Sequence, residues 1–151
     1  MAAKIKIVHL YPKELNLYGD TGNVLCLKRR IDARGIKCEI TEVGAGGVIP
    51  DFDIMFIGGG QDREMNIILK DLRKKSEMIA YAAGLGKVIL AICAGYQLLG
   101  EYYKTADGGI MKMSTASGHF LLTSAAPCTS MSSSTSIPAA SFSRMVFRDV
   151  P

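Results

Sequence analysis

A cysteine stands where a strand-like run gives way at once to a helix-like one. Val88 to Ile92 is apolar without alternation, Cys93 follows, and Ala94, Gly95, Tyr96 and Gln97 open a helical pattern. This is the layout of a nucleophile elbow with sulfur in place of a serine oxygen. Such a turn forces the nucleophile into a strained backbone geometry, and bulky side chains two positions to either side would collide. Ala91 and Gly95 occupy those positions. The chemistry expected of the thiol is attack on an acyl or amide carbon with a covalent intermediate. The plainer account is a buried cysteine at a strand end, because A-x-C-x-G also arises by chance. Gly58, Gly59 and Gly60 follow a second short apolar run, Asp53 to Ile57. Backbone N–H groups in a glycine turn approach a reacting carbonyl closely enough to hold an oxyanion. Taken alone, three glycines make only a tight turn.

The elements that must position these two turns follow from the apolar pattern. Lys4 to Leu10 alternates and then turns apolar, as a strand entering a covered sheet does, and Pro12 ends it. After a polar loop, Val24 to Arg34 places Val24, Leu27 and Ile31 at helical spacing, with Gly35 as the closing residue. Lys37 to Val43 reads as a second strand and Asp53 to Ile57 as a third, buried on both faces. From Asp62 to Gly84 the pattern is helical; Ser76 and Glu77 could start a second helix there, so one helix and two are both open. Val88 to Ile92 is the fourth strand, and Gly95 to Tyr103 is expected to be helical. Alternating strands and helices of this kind predict an α/β fold, an open, mostly parallel, flavodoxin-like sheet with helices on both faces. Reactive groups in such folds lie at the carboxyl ends of the strands, where both glycine-bearing turns fall.

Composition narrows the classes of function. The chain has 151 residues with 48% hydrophobic content, enough for one core. Its 18 Lys and Arg against 14 Asp and Glu give a net charge of +4 spread along the chain, which argues against a nucleic-acid surface. No apolar run approaches the ~20 residues that span a bilayer, and Lys4 and Lys6 interrupt any signal-peptide core, so the expected location is cytoplasmic. Cys26, Cys38, Cys93 and Cys128 show neither CxxC spacing nor a histidine cluster, so no metal and no disulfide framework is expected. Cys26 and Cys38 are expected to be small buried hydrophobes.

Beyond Gly109 the character changes. Residues 113–143 contain no Asp, Glu, Lys or Arg and are crowded with Ser, Thr and Ala. Such a stretch buries too little apolar area to offset ordering entropy, so 110–151 is expected to be an atypical tail, in loop or disorder, after an N-terminal portion at 1–109. A shift in reading frame or a truncated gene would account for so abrupt a change.

Four segments together carry a resemblance: Tyr11 and Pro12; Leu15 to Asn23; Ile57 to Glu64 (I-G-G-G-Q-D-R-E); and Ala91 to Gly100 (A-I-C-A-G-Y-Q-L-L-G). They resemble the cobyric-acid-synthase-type (CobB/CobQ) class I glutamine amidotransferases, within them the glutaminase subunits of peptidoglycan synthesis, over about the first 108 residues. The resemblance implies that Cys93 attacks the carboxamide of glutamine, that backbone amides around Gly59, Gly60 and Ala94 hold the oxyanion, and that Gln97 contacts substrate. Gln61, Asp62 and Arg63 would shape the pocket or a partner surface, or simply begin a helix. No cofactor is implied. The implied partner is a Mur-ligase-like, MurT-type ATP-dependent synthetase that uses the ammonia to amidate D-glutamate of lipid II. The absence of a G-x-x-x-x-G-K-[ST] loop here suits that division of labour. Such enzymes also need a histidine base well beyond the nucleophile, whereas the chain holds only His9, expected in packing or a loop, and His119 in the tail. Little glutaminase activity is therefore expected of the chain by itself. The competing functions are an amidotransferase domain of cobalamin synthesis, a catalytically dead partner-binding module, and a flavodoxin-like nucleotide binder using Gly58 to Gly60.

Overall fold

The computed structural model describes residues 4–17 and 19–100, and the backbone of 102–104 and 110–112. Of the tail expected over 110–151, only Ile110–Lys112 is described, as a strand and not as loop; Tyr18, His119, Cys128 and the rest of 113–151 lie outside the described residues. Four strands, β1 (Lys4–Leu10), β2 (Lys37–Val43), β3 (Ile54–Ile57) and β4 (Val88–Ala91), form one all-parallel sheet in the order β2-β1-β3-β4. In register, Leu10 lies beside Val43 and Ile57, and Ile57 beside Ala91, so the carboxyl ends align along one edge of the molecule.

Helix α1 (Asp20–Asp32) links β1 to β2, and α2 (Asp62–Gly84) links β3 to β4. The two crossovers step outward in opposite directions from the central pair, and with the usual right-handed connection they fall on opposite faces. The side chains agree. Val24, Leu27 and Ile31 of α1 pack with Ile5, Ile7, Cys38, Ile40, Ile54 and Phe56, which alternate onto one face. Val8, Leu10, Met55 and Ile57 point to the other face by the two-residue period of a strand, and they are fully buried. Met65, Ile68, Leu69, Leu72 and Ile79 are the buried stripe of α2. Each such side chain contributes roughly 1.5–3 kcal/mol on burial, so the stripe anchors a helix that would be marginal alone.

Several expected boundaries move. Helix α1 begins a turn earlier than Val24, with Gly19 as its N-cap at φ 73° and Asp20 buried in its first turn. Residues 62–84 form one continuous helix: the Ser76 hydroxyl donates back to the Arg73 carbonyl at 2.8 Å, satisfying itself inside the helix instead of capping a new one. The helix expected over 95–103 is cut to α3 (Ala94–Leu98). Gly100 disfavours continuation, and the β-prone Tyr102 and Tyr103 belong to β5 (Tyr102–Lys104), which pairs antiparallel with β6 (Ile110–Lys112). Cys38 is buried as expected, but Cys26 is exposed on the outer side of α1. Among the described residues no helix is long and apolar enough to cross a membrane.

Candidate active site

Strand β4 ends at Ala91 beside the end of β3, and the chain then turns sharply through Cys93. The Cys93 backbone sits at φ 49°, ψ −110°, one of two non-glycine residues with positive φ among those described. A side-chain-bearing residue there costs about 1–3 kcal/mol and persists only where its surroundings over-determine it. They do so here. The Ile92 N–H donates to the Ile57 carbonyl at 2.9 Å, the Gly95 N–H reaches both Ile92 O at 2.9 Å and Gly58 O at 3.1 Å, and the Gln97 N–H closes onto Cys93 O at 3.1 Å. The elbow is thus hydrogen-bonded onto the glycine turn that follows β3. Cys93 itself is exposed, whereas Ala94 and Gly95 are buried beneath it. A thiol on a constrained, accessible bend is an arrangement that covalent acyl chemistry can use.

Gly95 has no room for a side chain: a Cβ there would lie 2.7 Å from Ile57 O and 2.8 Å from Gly58 O. Gly58 is tighter still, with Leu15 O only 2.1 Å from the position of a Cβ. The two turns therefore meet backbone to backbone.

The four expected contact residues separate. Ala94 is the first residue of α3, and neither its N–H nor that of Gly60 has a hydrogen-bond partner among the described residues. Gly59 is corrected: its N–H is already donated to Asp20 Oδ2 at 3.1 Å, because Asp20 is buried directly against the turn, so Gly59 is a strut of the loop. Gln97 is half-buried one turn into α3. Gln61 is the N-cap of α2 and its N–H donates to Glu64 Oε2 at 3.2 Å, so these two residues hold the helix start, with Asp62 in the first turn.

His9 is a sheet residue, not a loop residue. It is 1% exposed in β1 and meets Phe56 edge to face at 5.5 Å between ring centres. Burial pushes its imidazole below the ordinary histidine value, with the charges of Glu42 and Asp20 pulling the other way. Among the described residues no hydrogen bond joins a histidine to Cys93, and no group of three or more His, Cys, Asp or Glu is placed to hold a metal ion.

Two features of the carboxyl edge escaped the sequence pattern. Asp20 was part of a polar loop by composition, although an Asp after Gly19 and four residues before an apolar helical stripe is a helix-start signal. Tyr11 is fully buried at φ 56° at the end of β1. Its hydroxyl donates to Asp71 Oδ2 at 2.8 Å, its N–H to Val43 O at 2.7 Å, and its carbonyl accepts from Leu15 N–H at 2.8 Å. Asp71 also pairs with Lys75 and accepts from Gly46 N–H at 3.0 Å, tying α2 to the loop after β2. No residue type near Tyr11 signals so distant a partner.

A doubly covered parallel sheet with a cysteine elbow bonded to a glycine turn is the framework of a cysteine-dependent amidotransferase domain. Residues 6–128 match the model of the CobB/CobQ-like glutamine amidotransferase domain, and the chain belongs to that family. It is 40% identical over 121 residues to the lipid II isoglutaminyl synthase (glutamine-hydrolyzing) subunit GatD of Streptococcus pneumoniae, covering 79% of this chain and 46% of that protein. The GatD subunit of Staphylococcus aureus is also 40% identical, over 107 residues, 70% of this chain and 44% of its own. The chain thus spans less than half the length of these curated relatives. Among solved structures, PurLQS from Thermotoga maritima overlays 66% of this chain and 43% of that chain at a TM-score of 0.44 and 24% identity.

Proposed function

We propose that this chain carries the nucleophile half of a glutaminase site, with Cys93 as the catalytic thiol. The Cys93 thiolate attacks the side-chain carboxamide carbon of glutamine, and the carbonyl electron pair moves onto oxygen. The N–H groups of Gly60 and Ala94 stabilise that oxyanion. Its collapse breaks the C–N bond, ammonia leaves with an added proton, and a γ-glutamyl thioester remains on Cys93. Water attacks the thioester, glutamate departs and the thiol is restored. The proton transfers need a base, and the described residues supply none beside Cys93, so the chain alone turns over slowly; loss of a positioned base typically costs ~10²–10⁴ in rate.

The observation that carries this reading is the strained, exposed Cys93 hydrogen-bonded through Gly95 to the Gly58 turn. The 40% identity to two GatD subunits supports the ammonia acceptor: a MurT-type, Mur-ligase-like synthetase in the cytoplasm that activates D-glutamate of lipid II with ATP for peptidoglycan synthesis. Glutamate formation from L-glutamine, measured for the chain alone and mixed with such a synthetase, tests the proposal. Slow turnover that the synthetase raises and Cys93→Ser abolishes is expected. Turnover that survives Cys93→Ser overturns it.

A further inference from the structure

The most economical explanation of a buried carboxylate at this edge lies in one peptide group. We infer that Asp20 is a positioning residue that sets the glycine turn and the Cys93 elbow together, an inference that rests on Cys93 being the nucleophile. Asp20 is 1% exposed and accepts the Gly59 N–H at 3.1 Å through Oδ2. On the other side of the same peptide unit, the Gly58 carbonyl accepts the Gly95 N–H at 3.1 Å. In a planar trans peptide the N–H and C=O point in opposite directions. The carboxylate, peptide 58–59 and the elbow amide therefore form one hydrogen-bonded line. A charged acceptor at one end strengthens the bond it makes, and each bond in such a chain polarises the next. The carboxylate thus tightens the grip of Gly58 on the elbow, which it does not touch.

The next peptide is fixed by the same segment. The Gly59 carbonyl accepts the Leu17 N–H at 3.2 Å, so the Gly60 N–H, on the opposite edge of that plane, is turned away from Leu17 and held there. Packing brings the two segments into close contact. A Cβ on Gly58 would meet Asp20 Cβ and Cγ at 2.9 Å, and one on Gly60 would meet Leu15 Cδ2 at 2.6 Å. Residues 15–20 and 58–60 are thus keyed together, with Asp20 as the polar key.

Fold stability does not explain the choice of residue. A buried carboxylate is costly unless it is paired or fully hydrogen-bonded. Among the described residues Asp20 has no salt bridge, and its Oδ1 has no hydrogen-bond partner. Its place in the first turn of α1 favours negative charge but does not require burial. Polarisation of peptide 58–59 is what a charge supplies there and an amide does not.

The test uses the full chain, isotopically labelled, with Asp20→Asn and Asp20→Ala. The amide proton resonances of Gly59 and Gly95 are compared with those of β2, such as Ile40. In parallel, peptide mass spectrometry follows Cys93 as its thiolate displaces chloride from a chloroketone analogue of L-glutamine, a reaction that passes through an oxyanion-bearing adduct. Alkylation by iodoacetamide, which forms no oxyanion, is the comparison. In Asp20→Asn the Gly59 and Gly95 amides shift together while Ile40 stays. Chloroketone capture falls by up to about 10²-fold in Asp20→Ala and by less in Asp20→Asn, with iodoacetamide little changed. A Gly95 resonance that stays in place in Asp20→Asn, or unchanged chloroketone capture in that near-isosteric variant, overturns the inference even if Asp20→Ala fails to fold. If unmodified Cys93 shows no preference for the chloroketone over the exposed Cys26, it is the glutaminase reading that fails, and the linked resonance shifts still report on the hydrogen-bonded line.

Discussion

Adding one methyl group at Gly95 should uncouple the elbow from the turn beneath it. A Cβ at that position lies 2.7 Å from Ile57 O and 2.8 Å from both Gly58 O and Ile57 Cγ2. Two of these three atoms are backbone oxygens of the segment that receives the Ile92 and Gly95 N–H bonds, and they cannot rotate aside. Relief requires the elbow to lift by about 0.7 Å, from 2.7 Å to the 3.4 Å at which ordinary contact begins. Overpacking of this kind costs about 1–3 kcal/mol, and each kcal/mol lowers Tm by roughly 2–4 °C in a chain of this size. The reactive geometry is more sensitive, since a shift of about 1 Å at a site can cost ~10²-fold in rate. Gly95→Ala is therefore expected to melt several degrees lower and to be captured by the glutamine chloroketone roughly 10- to 100-fold more slowly at Cys93. Gly84→Ala is the matched control: nothing lies within 4 Å of its Cβ position at the end of α2, and it should be neutral or stabilising by up to about 1 kcal/mol. A Gly95→Ala chain with unchanged Tm and unchanged capture would refute the close-packed junction.

Three further outcomes concern the charges around the sheet. Burial holds His9 below 6.5, so its contribution to stability is complete above that pH and is lost as the pH falls through the lowered folded value; His9→Leu should remove the loss of urea resistance that sets in below pH 6.5. Burial, followed by the bond to Asp71, pushes the Tyr11 phenol far above 10.0; the folded state keeps the proton, and stability is complete below that pH and falls above it. Tyr11→Phe should cost about 1.5–3 kcal/mol at neutral pH, the value of a hydrogen bond to a charged group, and show a flatter alkaline unfolding curve. At Asp71 burial pushes the carboxyl up, but Lys75, Tyr11 and the Gly46 N–H together outweigh it and hold the group below 3.8; the stability it contributes is present above that value and lost below, so acid unfolding of Asp71→Asn should start from a lower plateau and fall less steeply.

What the sequence made legible was governed by local pattern. The strand-like runs 4–10, 37–43, 54–57 and 88–91 are short and bounded by glycine, proline or charge, so strand and turn signals agree and the parallel sheet follows, although only 55–57 and the end of 4–10 are continuously buried and 88–91, at the edge of the sheet, is half-buried to exposed. The elbow was legible because strand, Cys93 and Gly95 are contiguous. Helix α3 was overcalled because Leu98, Leu99 and the two tyrosines keep a helical spacing, while the pairing of Tyr102–Lys104 with Ile110–Lys112 is decided by a strand further along. Asp20 and Tyr11 were missed for the same reason: their partners, Gly59 and Asp71, are 39 and 60 residues away, and only the folded sheet brings them together. Gly59 was placed among the oxyanion donors by the family resemblance, and it took the position of Asp20 to show that its N–H is already donated.

The account stands on the chemistry of Cys93, and the chain carries its own internal standard, since Cys26 is also exposed and free. Both thiols can be followed by peptide mass spectrometry as the full chain reacts with the glutamine chloroketone, with and without L-glutamine. Modification of Cys93 well ahead of Cys26, slowed by L-glutamine and not by D-glutamine, is the predicted result. Equal modification of the two cysteines, with no protection by L-glutamine, would contradict the assignment of Cys93 as the nucleophile of a glutamine site.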